Sequence, residues 1–325
     1  MECLEGGGNA FENFKMEQVL EAVGDGAFAD ILSNTANKRM VQAFEFYPST
    51  WEKIVNKPFG SRPDFKSNKL VRVEEFQRLE EVTKRNPVKM DTIGEESGTY
   101  QVKTYERGYE LNRTDIINDD IGAFLKFPAS QGKAASRTLD KFVWDFINSN
   151  TTMQFDNVAL FDSTNHANII TTSPLSTTTL QTADYTLSVQ TEKKTGDMLG
   201  LTSRWLIVPP SLKLLAQRIV RSTKLQGTTN NDYNPFADLE VLVVPWLTDT
   251  GSTTTADWYL AADPSQTETF QLDFLRGKSV PETLKQMATA KDGYNFMTNG
   301  LAWKTRYEFG GMLADYRWIV KGDAA

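Results

Sequence analysis

LVRVEEFQRL at residues 70–79 and GTYQVKTYERGY at residues 98–109 decide how this chain is read. The first stretch sets Val71, Val73, Phe76 and Leu79 among Arg72, Glu74, Glu75, Gln77 and Arg78. The second alternates Tyr100, Val102 and Thr104 against Gln101, Lys103 and Tyr105. Between them runs a polar stretch from Lys84-Arg85-Asn86-Pro87 to Gly94-Glu95-Glu96. Two β-prone arms around a tip bearing proline and glycine predict one long hairpin over residues 60–110. The arms are charged on both faces and cannot bury a core of their own, and an isolated two-stranded ribbon is marginal in water. Such a ribbon gains stability by lying on a neighbouring molecule. A solvated edge hairpin of a single sheet fits the pattern equally well.

Upstream, residues 1–27 are mixed and Gly-rich, with a short helical patch near Phe14–Val23, and read as an arm ordered only where something holds it. Phe28, Ile31, Leu32, Thr35, Ala36 and Met40 fall at helical spacing and predict a helix over 28–43. The Tyr47–Trp51 cluster around Pro48 follows as a packing anchor. Downstream, Leu139, Phe142, Val143, Phe146 and Ile147 predict an amphipathic helix over 133–148, with Asp140, Lys141 and Asp145 on the solvent face and Pro128 and Gly132 ahead of it. Asn148-Ser149-Asn150 stops it.

Residues 150–200 are rich in Thr and Ser, with Ser176-Thr177-Thr178-Thr179 close to a low-complexity run before a short helix around Thr182–Lys193. Arg204–Val208 predicts a strand closed by Pro209-Pro210, and Ser211 the cap of a helix through Val220. Gln226–Asn234 reads as a polar loop. Leu239–Val244, Trp258–Ala261 and Thr269–Leu275 read as strands. Trp303, Thr305, Tyr307 and Phe309 alternate with Lys304, Arg306 and Glu308, Gly310-Gly311 marks a bulge or bend, and Asp315–Val320 continues the pattern. The class is α+β.

Composition narrows the chemistry. The chain has 325 residues, 40% hydrophobic and 24% charged, and a net charge of -7; it can bury a core, and its acidity disfavours a sequence-reading nucleic-acid binder. Cys3 and His166 are the only cysteine and histidine, so no internal disulfide forms and a zinc site would need nearly all carboxylate ligands. His166 lies in the polar run 161–168 and reads as a surface-loop residue rather than a general base. Gly277-Lys278-Ser279 has Leu272, not glycine, where a phosphate-binding loop needs one, and Gly132-Lys133-Ala134 has Phe127 there. Asp119-Asp120 and Glu95-Glu96 read as solvated turns or caps. No catalytic, metal-binding or cofactor-binding residue is expected. No stretch is long enough to span a membrane and the N-terminus lacks the order of a signal peptide, so the protein reads as intracellular and soluble.

Several ordered segments carry a resemblance. They are Phe28-Ala29-Asp30-Ile31-Leu32 with Asn34 through Met40; Tyr109-Glu110-Leu111-Asn112-Arg113 with Ile116 through Asp120; and Asn157-Val158-Ala159-Leu160-Phe161 with Ser163-Thr164. Then come Trp205 through Pro210, Trp258 through Pro264, and Arg306 through Gly310 running on to Trp318. In this order they resemble the Mu-like prophage major head subunit family, major capsid proteins with the HK97-type capsid fold. Asp162 follows Phe161 where that family usually offers a histidine nearby.

The resemblance implies an N-terminal arm and helix over 1–59, an E-loop hairpin over 60–110, a peripheral domain with a spine helix over 111–154, and an axial domain over 155–265. It further implies a peripheral return over 266–300 and C-terminal strands rejoining the axial domain over 301–325. It implies self-assembly into pentamers and hexamers of an icosahedral head around double-stranded DNA, touched non-specifically, with portal, scaffold or protease and decoration proteins as partners. Location would be the virion capsid, assembled in the host cytoplasm, with no membrane partner. The expected assembly residues are Arg72, Glu74, Glu75, Glu80, Glu81, Lys84, Arg85, Lys89, Lys103 and Arg107; the spine helix packs through the five apolar residues named above. The alternatives are an encapsulin-like compartment and, in another class, a β-rich hydrolase or carbohydrate-binding protein suggested by seven tryptophans.

Overall fold

A computed structural model of the chain describes residues 26–73, 79, 81, 90, 95–112, 126–193, 195–222, 233–248, 251, 256–285 and 300–324. The chain divides into two units, one of residues 1–49, 103–139 and 278–309 and the other of 50–102, 140–277 and 310–325. The arm expected over 1–27 lies outside the described residues except for Gly26 and Ala27, and Ile116 through Asp120 lie outside them too.

In the first unit, helix α1 (Gly26–Phe46) buries Ala36 and Met40, four residues apart on one face. Helix α2 (Lys126–Asn148), of which residues 126–139 belong to this unit and 140–148 to the other, starts seven residues before the expected 133. Pro128 sits in its first turn, where a missing N–H costs nothing. Gly132 lies inside it because a Cβ there would overlap the carbonyl oxygen of Met40; glycine is the condition for the two helices to pack this closely.

The strands of this unit are β4 (Lys103–Asn112), β10 (Glu282–Lys285) and the Gly300–Phe309 part of β11 (Gly300–Leu313), the labels following chain order. β11 pairs antiparallel with both. Trp303, Thr305, Tyr307 and Phe309 are buried on one face, as the alternation requires. Tyr109 stacks on Trp303 at 5.6 Å between centroids and Tyr105 on Phe309 at 4.4 Å. Arg306 with Glu282 and Lys304 with Glu106 tie the same strands on the exposed side. These pairings correct two expectations. Residues 103–109 are not the second arm of a hairpin but pair with β11, where their tyrosines find aromatic partners. Nor does β11 join the C-terminal sheet described next.

That sheet belongs to the second unit. It contains β5 (Ile169–Ile170), β6 (Ser203–Val208), β7 (Glu240–Val243), β8 (Trp258–Ala262) and β12 (Ile319–Gly322) in the order β5-β12-β8-β6-β7. All five residues of β8 are buried, the pattern of a strand covered on both faces. Helix α3 (Thr177–Ser188) and helix α4 (Lys213–Arg221) pack on this sheet. α3 begins earlier than expected because Ser176 is its N-cap: Thr179 N–H donates to Ser176 Oγ at 3.1 Å, and Ser176 N–H to Thr179 Oγ1 at 2.9 Å. Pro210–Leu212 form a 3-10 turn before α4, and Leu212, not Ser211, stands at the cap without a side-chain bond. Buried Asn234 closes α4 instead, its amide donating to Ile219 O at 2.7 Å and Ser222 O at 2.8 Å.

The same unit holds β1 (Gly60–Arg62), parallel to β9 (Phe270–Leu275). Gly310 and Gly311 do not break β11; a Cβ on Gly310 would overlap Gln101 O, and one on Gly311 would overlap Gln271 O. Backbone crowds the strand on both sides, which is why two residues without side chains sit there. The remaining pair, β2 (Asn68–Val73) and β3 (Glu95–Tyr100), is antiparallel and forms a sheet of its own.

Candidate functional site

The β2–β3 ribbon is where sequence pointed, and its root is built from polar groups. Arg72 and Glu96 face each other in register and form an ion pair. Lys193 reaches Glu96 Oε1 at 2.8 Å from the other side. Arg72 also lies 3.3 Å from Asp315 Oδ1 and sits over the Phe155 ring at 5.4 Å. Asp315 holds Arg317 at 2.6 Å, and Arg317 also pairs with Glu192. Six alternating charges, Lys193–Glu96–Arg72–Asp315–Arg317–Glu192, therefore link the ribbon to the segment before β12 and the turn after α3. Glu192, Asp315 and Arg317 are buried, Arg72 and Glu96 half-buried and Lys193 exposed; each has a neighbour of opposite charge, the condition for holding ions away from water.

Ionisation states follow. Burial opposes the Glu96 carboxylate, but the Lys193 hydrogen bond and the Arg72 charge outweigh it and hold the group below the usual glutamate range. Burial likewise opposes the Arg317 guanidinium, but Asp315 and Glu192 outweigh that and strengthen its hold on the proton.

A second cluster fixes the base of β3. The Tyr100 hydroxyl donates to buried Asp273 and accepts from Arg62 Nη2 at 2.7 Å; Arg62 Nε also donates to Asp273. Burial and the Asp273 carboxylate push the Tyr100 phenol well up. Gly60 leaves room for the Asp273 carboxylate, which a Cβ would overlap. On the outer edge of β3, the Gln154 side-chain amide pairs with Thr99 as a strand would: Thr99 N–H donates to Oε1 at 2.7 Å, and Nε2 donates to Thr99 O at 2.9 Å.

Of the expected assembly residues, Arg72, Glu81, Lys103 and Arg107 lie among the described residues. Arg72 is committed within its own chain. Lys103 and Arg107 are exposed on β4, in the other unit. Glu81 is exposed. Glu74, Glu75, Glu80, Lys84, Arg85 and Lys89 lie outside the described residues. Glu96 is part of the buried network rather than a solvated turn, because its register places it opposite Arg72.

On α2, Leu139, Val143 and Ile147 are buried, and Phe142 and Phe146 are half-buried with their rings edge-on to Phe270. Trp144 is fully buried as well. Asp140 is not on the solvent face. It is 2% exposed, and its carboxylate accepts from Thr50 N–H at 2.9 Å, Trp51 N–H at 2.8 Å and Trp246 Nε1 at 2.7 Å. The wheel carried this signal: Trp144 widens the apolar arc so that Asp140 falls inside it.

His166 is buried, not on the surface. Its ring stacks on Tyr316 at 3.7 Å, Nε2 lies 2.9 Å from Asp156 Oδ2 and Nδ1 lies 3.0 Å from Leu160 O. Both nitrogens are used up by structure, which leaves no lone pair aimed at a substrate. Gly277 serves a tight turn after β9, with Arg276 and Gly277 both at positive φ. Among the described residues no group of His, Cys, Asp and Glu could hold a metal ion, and no helix is long and apolar enough to cross a membrane. The seven tryptophans pack inside: six are buried, and Trp246 donates to Asp140.

The family model described as "Phage capsid protein" matches residues 95–322. No curated protein matches the sequence. Among solved structures, the capsid of cyanophage P-SCSP1u superposes with a TM-score of 0.59 at 11% identity, covering 86% of this chain and 89% of that one. The capsid of cyanophage Pam1 gives 0.56 at 10% identity, covering 85% and 92%. The procapsid of bacteriophage JBD30 gives 0.50 at 16% identity, covering 91% and 75%. At such identities the likeness is one of fold.

Proposed function

Because the chain belongs to the phage capsid protein family, as a major capsid protein of a phage head with the α+β, HK97-type fold, we propose that it builds the head shell by self-assembly into rings of five and six around double-stranded DNA. The family is a structural one, not a class of enzymes. The observation that carries the proposal is the family match over residues 95–322, which takes in β3, α2 and both units. Within that family we assign the chain to the Mu-like prophage head subunits, on the ordered segments from Phe28 to Trp318.

In this reading the β2–β3 ribbon is the E-loop, and its extent is narrower than residues 60–110, since β1 and β4 pair elsewhere. α2 is the spine helix, and the sheet β5-β12-β8-β6-β7 with α3 and α4 is the axial domain. The N-terminal arm and the ribbon reach neighbouring subunits; Lys84, Arg85 and Lys89 meet acidic patches there, and Glu74, Glu75, Glu80 and Glu81 basic ones. Contacts of modest strength suffice because many act together. A portal, a scaffold or protease, and decoration proteins complete the particle, assembled in the host cytoplasm.

Electron microscopy of the purified protein tests the reading. Closed shells of uniform size are expected; a protein that stays monomeric at high concentration rejects it. Reversing both charges in Lys84→Glu/Arg85→Glu should lower the yield of particles while the subunit stays folded by circular dichroism. Unchanged yield would remove the hairpin tip from the mechanism.

A further inference from the structure

One face of α2, within the first unit, carries three cations without a carboxylate partner among the described residues. Lys126, Lys133 and Arg137 are all exposed, and at 100° per residue they fall within about 40° of one another on the helix surface, some 10 and 6 Å apart along the axis. Ser130 lies between them on the same stripe. Among the described residues none of the three forms an ion pair; Arg137 only turns back to the carbonyl oxygen of Lys133 at 3.4 Å. One turn further, Lys141 is neutralised by Asp145 at 2.6 Å, which ends the stripe. Helix α1, packed against α2 at Gly132, exposes Lys38, Arg39 and Glu45. In a chain of net charge -7, this face of α2 holds three cations with no acid among them on the helix, whereas the exposed cations of α4, Lys213, Arg218 and Arg221, are spread over about 140° of theirs.

The ordinary explanation for a helical charge stripe is helix stability, which places cations near the C-terminus or pairs them four residues after acids. Here the cations start at the first residue of α2, where the helix dipole opposes them, and no acid accompanies them through Leu139. Stability does not account for the pattern; an external polyanion does.

We propose that the Lys126–Lys133–Arg137 stripe is the surface that meets the phosphate backbone of packaged duplex DNA, in contacts blind to sequence. The proposal rests on the shell reading above and adds the face involved. Exposed Phe127 and half-buried Gln131 lie about 100° and 140° round the helix from Lys126, so the stripe itself offers cations and one hydroxyl, which hold phosphate without reading bases. Few contacts per subunit also keep the grip weak enough for DNA to slide as it fills the head.

The test compares unassembled wild-type protein with Lys126→Gln/Lys133→Gln/Arg137→Gln, titrated against a labelled 30-base-pair duplex by fluorescence anisotropy across a range of salt. Binding by the wild type should weaken steeply with salt, and the variant's log–log slope should be shallower by about 2.7, for three phosphates released. Lys133→Arg/Arg137→Lys, which keeps every charge, should match the wild type, and Lys57→Gln, which removes a cation paired with Glu52, should leave the slope unchanged. No duplex binding by the wild type, or equal slopes in the triple variant, overturns the proposal. Microscopy of the same preparations separates the two readings: shells with unaltered DNA binding reject the stripe alone, and absence of shells counts against the shell reading alone.

Discussion

In the sheet β5-β12-β8-β6-β7 the groups shut off from water are Trp258, Leu260, Leu206 and Val320. At the root of the β2–β3 ribbon, in the same unit, they are Glu192, Asp315 and Arg317, with Arg72 and Glu96 half-buried beside them. Apolar burial is non-directional and insensitive to salt or acid. An ionic network is directional and depends on every member keeping its charge. The sheet is thus a fixed platform, and the ribbon is fastened to it by bonds that solution conditions can loosen. In the shell proposed above, a ribbon held this way can adjust its attachment without loss of the core.

Three substitutions would break or sharpen this contrast. The largest effect belongs to the sheet. Trp258→Ala empties a fully buried site whose indole donates to Ser173 O at 2.8 Å, and should cost about 3–5 kcal/mol in urea denaturation, the same at low and high salt. A salt-dependent loss would blur the distinction.

Arg317→Met comes next. It leaves Glu192 buried without its cation, and a loss of roughly 3 kcal/mol is expected; unchanged stability would mean that the network's inner half is idle. The smallest effect is at the ribbon itself. Glu96→Gln should destabilise by only about 1 kcal/mol, because Arg72 and Lys193 keep some access to water, and this should appear as faster amide exchange confined to the ribbon. The Glu96 pKa is lowered in the folded chain. Its contribution is therefore complete above the unfolded value of 4.5 and is lost as pH falls through the lowered one. The protection of wild-type ribbon amides, taken relative to the intrinsic exchange rate at each pH, should fall in acid, and in the Gln variant that fall should be largely absent.

How far the sequence could be read follows the same line. The alternation in β11 and the apolar run of β8 were legible because burial writes itself as a period. Charges carry no such record. Arg72 and Glu96 were visible, but their register was not, since both ribbon faces are polar and nothing marks which residue stands opposite which. A wheel drawn through the five apolar residues of α2 sets Asp140 toward solvent, and only Trp144 widens the apolar arc to include it. The second arm of the hairpin was extended too far because β4 alternates as well as any ribbon strand; only its pairing with β11, nearly two hundred residues later, shows where it belongs. Ser176 did announce a helix start, three residues before Thr179, and its polar company concealed it. The Gly132 approach could not be inferred from a single chain of letters, because it depends on which helix lies across it.

The Gln154 amide bears on a hazard common to any molecule produced at high concentration. A bare strand margin invites identical margins to add themselves one after another, and the product is a fibre rather than a closed container. By occupying both main-chain groups of Thr99, one glutamine removes a place where such growth would begin, and directs association toward surfaces whose geometry terminates.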